Sequence, residues 1–141
     1  MKRLILSAAL LLSACTGEAT PPVGEINATD AYVLTPLQGR DMTAGYLTVS
    51  TNGPTLRLVG ASSPAAERIE LHTHVDDGGV MRMRQVDGFD ITPDAPLVMA
   101  PRGAHLMVFG LRDVPDADAI TLTLEYADGT TQDVQAELRA R

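Results

Sequence analysis

The sequence predicts an all-β domain built as an antiparallel sandwich or barrel. Three observations carry this. Turn signals recur at close spacing, at Asn52-Gly53, Asp77-Gly78-Gly79, Asp87-Gly88, Pro101-Arg102-Gly103 and Asp128-Gly129. Asn-Gly and Asp-Gly favour hairpins because both turn positions need positive φ. The runs between them alternate: Ile120, Leu122, Leu124 and Tyr126 share one face, and Thr121, Thr123 and Glu125 the other. No segment carries the 3.6-residue period of a three-turn helix. Many short strands at such spacing make a sandwich or barrel.

Taken in order, the predicted strands span 31–34, 45–51, 55–61, 68–75, 80–85, 96–99, 104–110, 120–126 and 131–136. The second brings Leu47 and Val49 to the core, the third Leu56 and Leu58, the fourth Ile69 and Leu71, and the seventh Leu106 and Val108. Pro93, Pro96, Pro101 and Pro115 fall near strand ends, where a missing N–H is tolerated. Met42 and Met99 read as core filler, since the thioether adapts to irregular gaps.

Before these strands lies a segment that is not fold. Lys2 and Arg3 precede an apolar stretch, residues 4–12, too short to span a bilayer as a helix. Leu12-Ser13-Ala14-Cys15 follows. It resembles a bacterial lipoprotein signal, in which Cys15 becomes the lipidated first residue. An ordinary secretory signal is the alternative, and either exports the protein. Residues 1–14 are thus a signal peptide, 15–29 a lipidated tether and 30–141 one domain. Thr16 after the cysteine, rather than Asp, points to the outer membrane of a Gram-negative cell, but the leaflet stays open.

Composition excludes several functions. The net charge is −7. The only lysine, Lys2, lies in the leader, and from Cys15 onward nine arginines face eighteen acids. No basic footprint for nucleic acid or anionic lipid exists. Membrane contact is expected through the N-terminal lipid alone. Cys15 is the only cysteine, so no intrachain disulfide forms. No Ser-His-Asp arrangement, zinc motif or phosphate loop can be placed, so an enzyme is not expected.

The chemistry concentrates between His72 and Met107, which enclose all three histidines and Met81 and Met83. His72/His74, Met81/Met83 and His105/Met107 are i, i+2 pairs, which on strands share a face. A hairpin turning at Asp77-Gly78 sets His72 opposite Met83 and His74 opposite Met81, with Cβ atoms ~5 Å apart. In the next strand His105 and Met107 face away from Leu106 and Val108. Thioether with imidazole is a ligand set for Cu(I).

The segment Glu70-Leu71-His72, Gly79-Val80-Met81-Arg82-Met83-Arg84 and Gly103-Ala104-His105-Leu106-Met107 closely resembles the periplasmic PCu(A)C copper chaperones. Their signature is His, ten residues, Met, twenty-one residues, His, one residue, Met; His72, Met83, His105 and Met107 fit it. Thr43-Ala44-Gly45-Tyr46-Leu47-Thr48-Val49 extends the likeness. The resemblance implies a cupredoxin-like antiparallel Greek-key β-barrel that binds Cu(I) on the periplasmic side of the envelope. The four matched residues would be its ligands. His74 and Met81 fall outside the signature, as a possible second shell. Delivery to cytochrome c oxidase, at its binuclear copper A centre or through a Sco-type assembly protein, is the implied role, by a monomer. Copper sequestration or resistance without a delivery partner needs the same site and is the alternative. A blue-copper electron carrier would need a cysteine ligand, and Cys15 is far away. Zinc would need three histidines while the methionines did nothing.

Overall fold

The computed structural model describes residues 24–112 and 117–141. The signal peptide, Cys15, residues 15–23 of the tether and Pro115 lie outside the described residues. Ten strands follow one another: β1 (Ile26–Leu34), β2 (Met42–Thr51), β3 (Leu56–Ser62), β4 (Arg68–Asp77), β5 (Val80–Gln85), β6 (Phe89–Ile91), β7 (Leu97–Val98), β8 (His105–Phe109), β9 (Ala119–Tyr126) and β10 (Thr131–Arg139). No helix occurs among the described residues, so none there is long and apolar enough to cross a membrane. The predicted all-β, cupredoxin-like architecture is the one observed.

Hydrogen-bonded neighbours run β5-β4-β8-β2-β1-β10-β9-β3-β6, with β7 on β2. The sheet rolls into two layers, because β3 lies against β4 and β6 against β2 and β7. All pairings are antiparallel except β1 with β10, which is parallel and joins the layers near the chain ends. Between the layers sit Val33, Leu47, Val49, Leu58, Leu71, Leu106, Val108, Ile120, Leu122 and Leu124. The alternation read in β9 holds: Ile120, Leu122, Leu124 and Tyr126 are buried, and Thr121, Thr123 and Glu125 are not. The Tyr126 hydroxyl donates to Gln132 Oε1 at 3.0 Å, and burial pushes its pKa up to about 12.

The observed elements differ from the sequence reading in several places. β1 begins at Ile26, within the stretch assigned to the tether, and Ile26–Thr29 pair with Thr51–Thr48 of β2. The pattern there was hard to read because the register shifts between Thr29 and Tyr32, where Asp30 takes φ 54°. The three-residue β6 was not predicted; it is too short to show alternation. The β4–β5 hairpin turns at Gly78-Gly79 rather than Asp77-Gly78.

That turn decides the pairing at the cluster. Gly78 and Gly79 both have positive φ, 66° and 87°. Two glycines meet this requirement without Cβ strain, whereas Asp-Gly meets it with a small strain at the Asp. The Asp76 carboxylate accepts from the Gly79 N–H at 2.6 Å and seals the turn. The observed partners are therefore His72 with Gln85, His74 with Met83 and Asp76 with Met81. A two-residue displacement changes the partners but keeps every side chain on its face.

Leu122 is fully buried between the layers. Leu122→Ala is expected to cost about 2–5 kcal/mol, read as a lower denaturant midpoint with unchanged slope; a midpoint equal to wild type would contradict the packing described.

Candidate metal centre

Strand β8 is inserted between β4 and β2. It pairs His105 with His72 and Met107 with Glu70 on one side, and Met107 with Ala44 and Phe109 with Met42 on the other. Leu106 and Val108 enter the core with no exposure. Parity then sends His105 and Met107 to the opposite face of the sheet. They are covered there nonetheless, at 3% and 7% exposure. A cavity of about 200 Å³ opens on this face, with His74, Met83, His105, Met107, Met42 and Tyr46 in its wall and Arg141 at its margin.

The imidazole tautomers follow from their partners. His105 Nδ1 lies 3.0 Å from the Gly103 carbonyl oxygen and His74 Nδ1 3.3 Å from the same atom. A carbonyl only accepts, so both Nδ1 atoms carry the hydrogen and both Nε2 lone pairs are free. His72 is held the other way round. Its Nε2 is 2.9 Å from Glu70 Oε2, while Glu70 Oε1 accepts from Arg68 Nε at 2.7 Å. The Arg68 guanidinium stacks on Phe109 at 3.8 Å. His72 Nδ1 is buried and has no hydrogen-bond partner. Leaving such a group unpaired costs about 1–3 kcal/mol, so this nitrogen is poised for a ligand.

The three rings cluster around His105, whose centroid is 5.2 Å from that of His74 and 5.8 Å from that of His72. Tyr46 stands 6.4 Å from His105 and Tyr32 5.1 Å from Tyr46, with the Arg139 guanidinium 4.2 Å over Tyr32. Burial holds His105 below the ordinary histidine pKa; the Gly103 hydrogen bond opposes this, and the neighbouring His74 and His72 add to it. Hydrogen bonds from His72 and then Arg68 hold the Glu70 carboxyl below its usual range.

Met83, His105 and Met107 of the predicted set meet at the cavity. His72 stands beside His105, engaged by Glu70, and is not in the cavity wall. His74, expected outside the ligand set, is in that wall opposite Met83. Met83 is 42% exposed, while Met81 is 54% exposed, opposite Asp76 and away from the cavity. Met99 is buried as expected, but Met42 is not core filler: it is 45% exposed and lines the cavity. The cause is that β2 begins earlier than predicted, so Met42, Ala44 and Tyr46 alternate onto the face of Met107. Glu70, Tyr46 and the Gly103 carbonyl have no role at the site in the sequence reading. Extending the i, i+2 rule back from His72 finds Glu70; no sequence signal announces a backbone carbonyl. Among the described residues no three His, Cys, Asp or Glu side chains are grouped to hold a metal ion. The thioethers of Met42, Met83 and Met107 in the cavity wall are donors of the kind that select soft ions.

Comparison with known proteins supplies relatives. Residues 26–138 match the family described as "Putative lipoprotein LpqE-like". The protein described as "Putative lipoprotein Lxx21020" of Leifsonia xyli subsp. xyli (strain CTCB07) is 36% identical over 104 residues, covering 72% of this chain; the chain spans 63% of the length of that curated relative. Among solved structures, the copper-bound PCuAC domain from PmoF2 superposes with a TM-score of 0.68 at 21% identity, covering 84% of this chain and 95% of that one. DR1885 from Deinococcus radiodurans in its Cu(I) form gives a TM-score of 0.63 at 28% identity, covering 88% of this chain and 83% of that one.

The His105 environment predicts a pH dependence. Between its lowered folded value and the ordinary value of ~6.5, the unfolded chain binds a proton that the folded chain refuses. That stability is fully present above about pH 6.5 and is lost as pH falls below it. The melting temperature of the metal-free protein is expected to fall between about pH 6.5 and pH 5, more steeply than that of His105→Gln. Equal slopes for the two proteins would contradict the assignment.

Proposed function

We propose that this chain, which belongs to the LpqE-like family and has the fold of PCuAC domains, is a lipid-anchored carrier of Cu(I) on the outer side of the cytoplasmic membrane. One observation carries the reading: the thioethers of Met42, Met83 and Met107, the imidazole of His74 and the buried imidazole of His105, whose Nε2 is free, face one cavity, with the His72 ring 5.8 Å from that of His105 by centroid. Met83, His105, Met107 and His72 are the donors in this reading, and His74 stands beside them. The Cu(I) form of DR1885, 28% identical to this chain, supports the choice of ion. The family's description as lipoproteins supports an anchor at Cys15.

The donor set suits carriage. Methionine sulfur needs no deprotonation, and the imidazoles bind when neutral, which burial of His105 favours. Neutral donors hold a monovalent ion less firmly than thiolates, so an acceptor with paired cysteines can draw copper forward. Assembly of the copper A centre of cytochrome c oxidase, directly or through a Sco-type protein, is the destination that fits this direction of transfer. Binding and release, rather than turnover, is the chemistry on offer.

Anaerobic competition titration tests the site. Met83→Ala and Met107→Ala are each expected to weaken Cu(I) binding about tenfold or more, equivalent to at least about 1.4 kcal/mol; affinities equal to wild type in both would remove the reading. Delivery is tested separately. A deletion strain is expected to lose oxidase activity under copper limitation, and normal oxidase with heightened copper sensitivity would indicate sequestration instead.

A further inference from the structure

Resting on the Cu(I) reading, the geometry points to Glu70 as a positioning residue that commits His72 to bind the ion through Nδ1, the ring nitrogen opposite in role to that of His105. Four side chains alternate along the outer face of β4: Arg68, Glu70, His72 and His74. Glu70 stands between a cation and an imidazole, with one carboxylate oxygen on each, at 2.7 and 2.9 Å. Arg68 is itself anchored by its stacking on Phe109. The acid is therefore held from behind and its second oxygen is aimed at His72.

The consequence is a fixed tautomer. A carboxylate accepts only, so His72 Nε2 carries the hydrogen and the lone pair resides on Nδ1. That atom is the one buried side-chain nitrogen or oxygen among the described residues without a partner. Its strand position is directly opposite His105, and Met107 is directly opposite Glu70. Carboxylate–imidazole–metal arrangements orient the ring and raise its basicity as a ligand. Here the carboxylate also places a negative charge beside a site whose donors are otherwise neutral. His105 reaches the same end by a different route, with Nδ1 bound to Gly103 and Nε2 free. The ion would thus meet two imidazoles presenting different nitrogens.

Nitrogen-15 spectra of the imidazoles test this without assuming that copper binds. At about pH 8, where neutral imidazole dominates, metal-free wild type is expected to show the Nε2–H tautomer at His72. Glu70→Gln keeps an accepting oxygen and is expected to keep that tautomer; Glu70→Leu is expected to lose it. On anaerobic Cu(I) addition, the Nδ1 resonance of His72 and the Nε2 resonance of His105 should shift. Glu70→Leu should bind Cu(I) about 10–100-fold more weakly than wild type, with Glu70→Gln between the two. A proton on Nδ1 of His72 in the metal-free wild type, or a copper-induced shift at its Nε2, overturns the inference while leaving the copper site intact. Wild-type affinity in a folded Glu70→Leu overturns the role of Glu70. The wild-type spectra decide the question even if that variant does not fold. Absence of any Cu(I)-induced shift in wild type instead overturns the copper reading on which the inference rests.

Discussion

The pairing of β8 between β4 and β2 is the constraint on which the rest of the molecule depends. Its five residues serve two purposes by alternation alone. Leu106 and Val108 fill the core, and His105 and Met107 are thereby compelled to the other face. A slip of one residue would drive an imidazole and a thioether between the layers and expose two aliphatic side chains, so the hydrophobic interior enforces the register. The neighbours on either side then bring Glu70, His72 and Ala44 to the same patch, although they are remote in the chain. Core packing and metal chemistry are therefore two faces of one strand, and burial of the first orders the second.

The outer face divides into a rigid part and an open part. His105 is buried, bonded to Gly103 and flanked by Tyr46 and His74. Met107 lies under the same cover. Met83 sits on β5, the outermost strand, where every residue is exposed. In the proposed donor set His105 and Met107 are buried, His72 is held by Glu70 and Met83 stands at the rim, which combines a preformed seat with a reachable door. Such a division suits a protein that must give up its cargo, because a competing ligand can approach the outer sulfur before the buried nitrogen is disturbed.

Much of this was legible in the sequence because sheet proteins write their faces in steps of two. The alternation in β9, the core leucines and valines of β2, β4 and β8, and the shared face of the histidines and methionines all follow from that step. What was misread has identifiable causes. The hairpin partners depended on which pair of residues took positive φ, and the Gly78-Gly79 turn displaced each pairing by two positions while preserving the face. β1 hid its first half behind a register shift at Asp30, which interrupts the alternation. Met42 reads as filler only while β2 starts at residue 45; the strand starts at Met42 itself and turns this side chain to the cavity. The spacing of His74 lies outside the signature, which leaves it a possible second-shell residue, yet strand parity and the cavity bring it beside Met83. The role of Glu70 depends on a rotamer and a partner, which composition does not encode.

The Gly103 carbonyl oxygen has only two lone pairs, and the N–H groups of His74 and His105 occupy both directions. The turn at residues 101–103, itself closed by the Gly103 N–H donating to the Ala100 carbonyl at 3.0 Å, therefore acts as a yoke for two rings from separate strands. Each imidazole is aimed by its own bond to this one shared oxygen. Any contact that tilts this short peptide would steer both nitrogens at once, giving a visiting protein a mechanical handle on the pair without touching either histidine.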